Sequence, residues 1–276
     1  MGHASSIAYD AAMSRPCHVL RVFTRGDDGG NHLGVVNDVV GLSPEGMQSI
    51  ATDLGFSETV FIDWTDASDD PSVRIFTPAD ELPFAGHPLV GASWVLSALG
   101  PMATGRIRTG VGPVDYLVDG DVVTVRCDID ITVVEPDDVA TVAAAAGFPE
   151  PVSTMRLGLP KEYLIAEYDA FDTVTGLIPD MDALTDRFGF LAYARRGDEV
   201  KARFFAPGTA VPEDPATGSA AVALARSFSL RGEPTGAVTV YQGDEIGHPS
   251  TIHLAWSPLA TTIGGTVRRD EVRMVS

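Results

Sequence analysis

The chain carries Arg74-Ile-Phe-Thr-Pro-Ala-Asp-Glu-Leu-Pro-Phe-Ala-Gly-His-Pro-Leu-Val-Gly-Ala-Ser93 and then writes a variant of it as Arg203-Phe-Phe-Ala-Pro-Gly-Thr-Ala-Val-Pro-Glu-Asp-Pro-Ala-Thr-Gly-Ser-Ala220. Each copy reads Arg-x-Phe-x-Pro, then a short loop, then a polar residue followed by Pro-x-x-Gly and a small residue. The polar residue is His87 in the first copy and Asp214 in the second, and on this alignment the second loop is two residues shorter. The two stretches are a diverged internal repeat.

Both copies carry the same local physics. Alternating apolar residues before Pro78 and Pro207 predict strands at 73–76 and 200–205, stopped by the prolines. Small and apolar residues at 91–99 and 218–226 predict helices, each with a proline near its first turn. Small residues in a first turn leave its free N–H groups accessible to a carboxylate or phosphate. Two such helix starts, each guarded by a titratable residue, can grip one small anion from two sides.

Composition narrows the classes. At 276 residues the chain has room for two domains, and 45% hydrophobic content supports a sizeable core. Net charge is −19, with Lys161 and Lys201 the only lysines. Nucleic acid and anionic membrane both call for clustered cations, so neither is expected as a partner. Two cysteines make no disulfide framework, and no apolar run reaches the roughly 20 residues of a membrane span. A cytoplasmic protein with a disordered extension at residues 1–15 is the expectation.

The rest of the chain reads as mixed strands and helices. Strands are expected at 17–24, 57–63, 106–108, 113–118, 121–131, 237–242, 251–256 and 266–274, with another ending near Glu167; 33–36 resumes the apolar pattern, a turn at 149–152 precedes 153–157, and 191–195 leads into the second copy. Ser43 caps a helix that has Pro44 first and Gly55 after it; further helices are expected at 139–146 and in the acidic 178–188 region. The order of elements is alike in both halves, which predicts an α+β chain of two similar lobes with a cleft between them.

Several segments outside the repeat carry a further signal: Gly30-Asn31, Phe56-Ser-Glu-Thr-Val-Phe61, Leu157-Gly-Leu-Pro160, Gln242-Gly243 and Gly247-His-Pro-Ser250. With Phe-Ala-Gly-His-Pro and Glu-Asp-Pro-Ala-Thr-Gly-Ser, they make the chain resemble the phenazine-biosynthesis PhzF-like family, from about Cys17 to the end. The resemblance implies a diaminopimelate epimerase-like fold, two lobes of mixed sheet each wrapped around a central helix, an active site in the inter-lobe cleft, no cofactor and a homodimer. It divides the chain at 16–130 and 131–262, with 263–276 returning to the first lobe. Related epimerases use a cysteine from each lobe. Here neither repeat holds one, and Cys17 and Cys127 read as core thiols in strands.

By that resemblance Glu58 of Ser-Glu-Thr moves the proton, and His87 and Asp214 bind and polarise the substrate or share the proton. A carboxyl flanked by Phe56 and Phe61 can have a raised pKa and serve as acid and base near neutral pH. Gly86, Gly218 and Ser219 are expected to approach a substrate carboxylate, with Asn31 and Ser57 adding side-chain hydrogen bonds at the rim. Taken alone, Glu58 reads as a strand-end acid, His87 as a loop residue and Asp214 as a helix cap. His32 stands where the family usually has proline and His248 where it has arginine, which leaves the substrate open. The histidines have no metal-binding spacing, so no metal is expected.

The expected activity is cofactor-independent isomerisation or epimerisation of a small carboxylate-bearing metabolite. The alternative is a non-catalytic small-molecule binder on the same fold. Ser57 and Ser219 lack a Gly-x-Ser-x-Gly elbow, and Gly110-Val-Gly112 sits among strands, so hydrolase and nucleotide readings rank lower.

Overall fold

The computed structural model describes residues 14–64, 70–100, 103–159, 161–185, 189–208 and 211–276. The first half runs β1 (Arg15–Thr24), β2 (Asn31–Val36), α1 (Pro44–Leu54), β3 (Glu58–Asp63), β4 (Ser72–Phe76), β5 (Glu81–Leu82), α2 (Gly86–Leu99), β6 (Thr104–Thr109), β7 (Gly112–Asp119), β8 (Val122–Cys127) and β9 (Thr132–Val133). The second runs α3 (Val139–Ala145), β10 (Ser153–Leu159), β11 (Lys161–Tyr168), α4 (Phe171–Thr175), β12 (Gly189–Arg196), β13 (Glu199–Phe205), β14 (Glu213–Asp214), α5 (Gly218–Leu230), β15 (Gly236–Gln242), β16 (Ser250–Ser257) and β17 (Ala260–Val275).

The halves repeat one pairing scheme. β1–β2 is antiparallel, β2–β3 parallel, β3–β4 antiparallel, β4–β6 parallel, and β6–β7–β8 antiparallel. β10 to β13 and β15 to β17 repeat the sequence of senses in the same order. The strands do not separate into two sheets, however. β17 leaves β16 to pair with β8 and then with β1, while β9 pairs with β10. Each half thus ends on the first strand of the other, and the result is one continuous mixed sheet.

Two helices carry the interior. α2 is apolar on all sides and packs against β1, β2, β3, β7, β8 and β17; α5 packs against β10, β11, β16 and β17. A helix without a polar face has to be wrapped on every side. Both contribute to the main hydrophobic core, while α1 covers Phe61 and Phe76 in a separate cluster and α3 and α4 cover Phe190 and Phe205 in another.

Local chemistry sets several boundaries as expected. Ser43 Oγ accepts from the Gly46 N–H at 3.2 Å, Pro44 opens α1, and Gly55 closes it at a φ of 66°. Four expectations change. Of the proposed disordered extension, residues 1–13 lie outside the described residues, but Arg15 is already in β1, buried, and bonded to the Asp38 and Val40 carbonyls at 2.9 and 2.8 Å. The strand foreseen at 121–131 ends at Cys127. In the acidic 178–188 region, Asp180 Oδ1 accepts from the Asp182 N–H, a local turn that competes with helix, and only a 3-10 turn forms at Asp182–Leu184; 186–188 lie outside the described residues.

The fourth change concerns the repeat itself. α2 starts at Gly86, five residues before the expected 91, and α5 starts at Gly218. Phe76 pairs with Glu81 and Phe205 with Glu213. Across each pair a bidentate ion pair closes the loop: Arg74 to Glu81 at 2.7 and 2.6 Å, Arg203 to Glu213 at 2.8 and 2.9 Å. Glu-Leu-Pro-Phe-Ala-Gly-His therefore corresponds to Glu-Asp-Pro-Ala-Thr-Gly-Ser, so His87 answers to Ser219 and Asp214 to Leu82. The second loop is the longer one. Matching Pro88 with Pro215 misled the alignment because Pro88 lies inside α2, whereas Pro215 precedes Thr217, the N-cap of α5.

The starts of α2 and α5 meet backbone to backbone. A Cβ on Gly86 would lie 2.7 Å from Gly218 Cα, and one on Gly218 would lie 2.9 Å from Gly86 Cα. Main-chain atoms in two packed helices cannot step aside cheaply. Gly86→Ala and Gly218→Ala are expected to cost about 1–3 kcal/mol each, read from urea midpoints, while Gly100→Ala, with only ordinary contact at 3.6 Å, is expected to be near neutral.

Candidate active site

Glu58 begins β3 and Asn31 begins β2; the two strands run parallel, with Leu33 opposite Glu58. This places the open ends of both strands against the starts of α2 and α5, where His87 and Ser219 occupy the second helical position. A cavity of about 70 Å³ opens there. Leu82, Pro83, Phe84, Phe204 and Ala206 form its apolar wall, and Ser57, Glu58, Asp214, Thr217, Ser219 and Tyr163 converge on it. An apolar wall with a few convergent polar groups is the makeup of a small-molecule site.

The expected site residues come together, in two tiers. Ser57, Glu58, Asp214 and Ser219 line the cavity. Asn31, His87, Gly86 and Gly218 are buried around it, Asn31 at 2% exposure and His87 at 3%. Asn31 was expected to contact substrate from the rim. Its hydrogen-bonding capacity is instead used internally: Nδ2 donates to Asp214 Oδ1 at 2.7 Å and to the Ala216 carbonyl at 3.2 Å, and Oδ1 accepts from Ser57 Oγ at 2.9 Å. Asn31 orders the site. Nor does Asp214 cap α5 directly; it accepts from the hydroxyl of the N-cap residue Thr217 at 2.5 Å.

Electrostatics separates the titratable groups. Burial raises the Glu58 carboxyl to about 8, and the nearby Asp214 charge adds to this. Burial also raises Asp214, to about 6, against hydrogen bonds from Thr217, Asn31 and the Ala216 backbone. Burial pushes His87 down to about 3, partly offset by the His32 backbone. His87 Nε2 lies 3.5 Å from Glu58 Oε2 and has no hydrogen-bond partner among the described residues. With a neutral ring, that contact is not an ion pair. It is an open imidazole nitrogen facing a carboxyl group.

Tyr163, Thr217 and Gln242 belong to the site but were given no role from sequence. Tyr163 Oη donates to Ser219 Oγ at 2.8 Å. Gln242 sits at the end of β15 and grips the Asp214–Thr217 turn. The Gln242-Gly243 pair stood out in the sequence, but its bonds are made only on folding. Cys17 and Cys127 are buried in separate clusters, and burial lifts their thiols to about 11 and about 12, so neither is a thiolate near neutral pH. His32 and His248 meet edge to face at 5.8 Å, and among the described residues no group of three His, Cys, Asp or Glu side chains is placed to hold a metal.

The family model of phenazine biosynthesis-like proteins, PhzC-PhzF, matches residues 20–266. A trans-2,3-dihydro-3-hydroxyanthranilate isomerase of Pseudomonas aeruginosa is 34% identical over 236 residues, covering 81% of this chain and 84% of its own. An uncharacterised isomerase of Pasteurella multocida is 31% identical, covering 91% of this chain and 90% of its own. Among solved structures, a PhzF-family phenazine biosynthesis protein of Bacillus anthracis superposes with a TM-score of 0.80 at 20% identity, over 96% of this chain and 99% of that one. A hydroxyproline epimerase of Agrobacterium vitis, with trans-4-hydroxy-L-proline bound, gives 0.64 at 14% identity over 95% and 91%. The mixed-sheet fold is common to all of these structures. Among the described residues no helix is long and apolar enough to cross a membrane.

The shifted carboxyl has a consequence for stability. Glu58 binds its proton more tightly folded than unfolded, where the pKa is about 4.3. Its contribution is fully present below that value and is lost as pH rises through about 8. Glu58→Gln is expected to melt close to wild type near pH 4, above it at pH 6 and further above it at pH 9, measured by calorimetry at the three pH values.

Proposed function

Since the chain belongs to the phenazine-biosynthesis-like PhzC-PhzF family and is a PhzF-like isomerase, we propose that it moves a proton on a small carboxylate-bearing metabolite, with Glu58 as acid and base. The observation that carries this reading is a carboxyl group facing an apolar cavity, raised to about 8 by burial beside a second carboxyl. A group titrating there can take a proton and give it back at neutral pH. In the proposed cycle Glu58 removes a proton from a C–H bond and the electron pair spreads into the substrate's unsaturated system. The same carboxyl returns the proton to a different carbon of that system. Atoms and electrons balance without a cofactor.

The surrounding groups have parts in the same scheme. His87 Nε2, 3.5 Å from Glu58, is open to polarise the substrate or share the proton. Asp214 keeps a negative charge beside Glu58, which makes Glu58 a stronger base once ionised. Ser219 and the N–H groups at the starts of α2 and α5 face the substrate carboxylate, where helix ends favour negative charge. We place this site in a cleft between two lobes, 16–130 and 131–262, with 263–276 returning to the first. The pairing of β17 with β1 supports that division. We further take the working form to be a cytoplasmic homodimer, by analogy with the family.

Deuterium exchange tests the reading. Wild type and Glu58→Gln are incubated in D₂O with trans-2,3-dihydro-3-hydroxyanthranilate, proline and hydroxyproline, and mass shifts are recorded. Wild type is expected to label at least one, with a loss of about 10²–10⁴-fold in Glu58→Gln. Its kcat/KM is expected to rise with pH and level off above about 8, as the base ionises. A compound that binds tightly yet exchanges in neither protein makes the chain a binding protein instead.

A further inference from the structure

Two half-buried carboxyl groups share one cavity, and two amides of fixed orientation stand beside one of them. Asn31 turns Nδ2 toward the Ala216 carbonyl, an oxygen that can only accept, so its N–H groups face Asp214 Oδ1 as well. Gln242 is fixed in the same way. Its Nε2 lies 2.7 Å from the backbone carbonyl of Asp214, which can only accept, and 3.0 Å from Thr217 Oγ1. Its Oε1 accepts from the Thr217 N–H at 3.4 Å. With Gln242 donating to the Thr217 hydroxyl oxygen, the hydroxyl hydrogen is left to point at Asp214 Oδ2, 2.5 Å away. Asp214 Oδ1 thus accepts from a donor that cannot be reversed, and Gln242, by occupying one acceptor site of the Thr217 oxygen, favours donation of the hydroxyl hydrogen to Oδ2.

We infer that Gln242 is a positioning residue: by fixing the direction of the Thr217 hydroxyl it holds Asp214 as a carboxylate, so that the proton of the pair resides on Glu58. Gln242 is 2% exposed and lies outside the cavity, so it acts through Thr217 and Asp214 and not on the substrate. Its neighbour Gly243 keeps the strand end tight against the same turn. With a φ of 82°, it packs so that a Cβ would come within 2.7 Å of the Pro215 carbonyl oxygen. Donors to a carboxylate favour its charged form, and a charge beside Glu58 disfavours a second one. The relation rests on the acid–base role given to Glu58 above.

Other charged groups around the pair do not reproduce this effect. His87 of α2 is neutral; Tyr163 of β11 donates to Ser219; Lys161 stands at the cavity wall. Arg203 is taken up by Glu213, and Lys201 beyond Gln242 by Asp244 and Glu245. None of these contacts orients the Thr217 hydroxyl.

The test uses the intact protein with ¹³C-labelled Asp and Glu carboxyls, titrated by NMR without substrate; Asp214→Asn and Glu58→Gln assign the two signals. In Gln242→Met the Asp214 titration is expected to move up, and that of Glu58 down, by about one unit, a tenfold change in proton affinity. Thr217→Val is expected to give the same shift, and the double variant no more than either single, because both act on one path. Thr217→Ser, which keeps the hydroxyl, is expected to restore the wild-type values. Unchanged titrations in a folded Gln242→Met protein, whatever its melting point, overturn the inference. If that variant does not fold, unchanged titrations in Thr217→Val overturn it equally. Failure of every compound to exchange deuterium, with the titrations shifted as stated, counts against the proton-transfer function and leaves the role of Gln242 standing.

Discussion

Gly86 and Gly218 touch through their main chains, and most of the site follows from that contact. Only residues without a Cβ let two helix starts approach so closely. The approach brings the free N–H ends of α2 and α5 to one point, with His87 and Ser219 one residue further into each helix. It also fixes the distance between β3 and the β14 turn, hence between Glu58 and Asp214. Helices buried on every side hold the contact in place, since neither can slide without opening the core shared by both halves.

Placed there, two carboxyl groups are driven toward neutrality by the same desolvation. What distinguishes them is hydrogen bonding. Asp214 receives Asn31, Thr217 and the Ala216 backbone, whereas the Ser57 hydroxyl beside Glu58 is committed to Asn31. Environments that push two acids apart are the general means of assigning a proton between them. The neutral His87 fits this balance, because a charged imidazole 3.5 Å from Glu58 would pull the carboxyl pKa back down.

Much of this was legible in the sequence where the determinants are local. The cap and stop of α1 are written at Ser43, Pro44 and Gly55, and Glu58, His87 and Asp214 were singled out from motifs and converge in space. What escaped were facts set by tertiary contact. The correspondence of the two repeats depends on which residue opens each helix, and Pro-x-x-Gly fits the first copy at Pro88 as well as it fits the second at Pro215. The ladder pairs Phe76–Glu81 and Phe205–Glu213 resolve the ambiguity. Asn31 and Gln242 carry amides whose roles depend on which end faces a carbonyl, and no sequence pattern encodes that.

The corrected repeat also explains why the two halves contribute different groups to the cavity. Register places Gly189 where the first half has Glu58, since Tyr163 faces Gly189 as Leu33 faces Glu58. A side chain cannot stand at Gly189, because its Cβ would meet the Phe204 ring at 2.0 Å. Leu82 stands where the second half has Asp214, and Ser219 where the first has His87. The fold is duplicated, but each reactive group has a chemically inert or neutral counterpart. A cavity built this way holds two carboxyl groups raised to different degrees, Glu58 further than Asp214, not two matched acids facing each other. Phe204 and Leu82, standing at the vacated positions, supply the apolar wall that keeps the Glu58 carboxyl out of water and its pKa high.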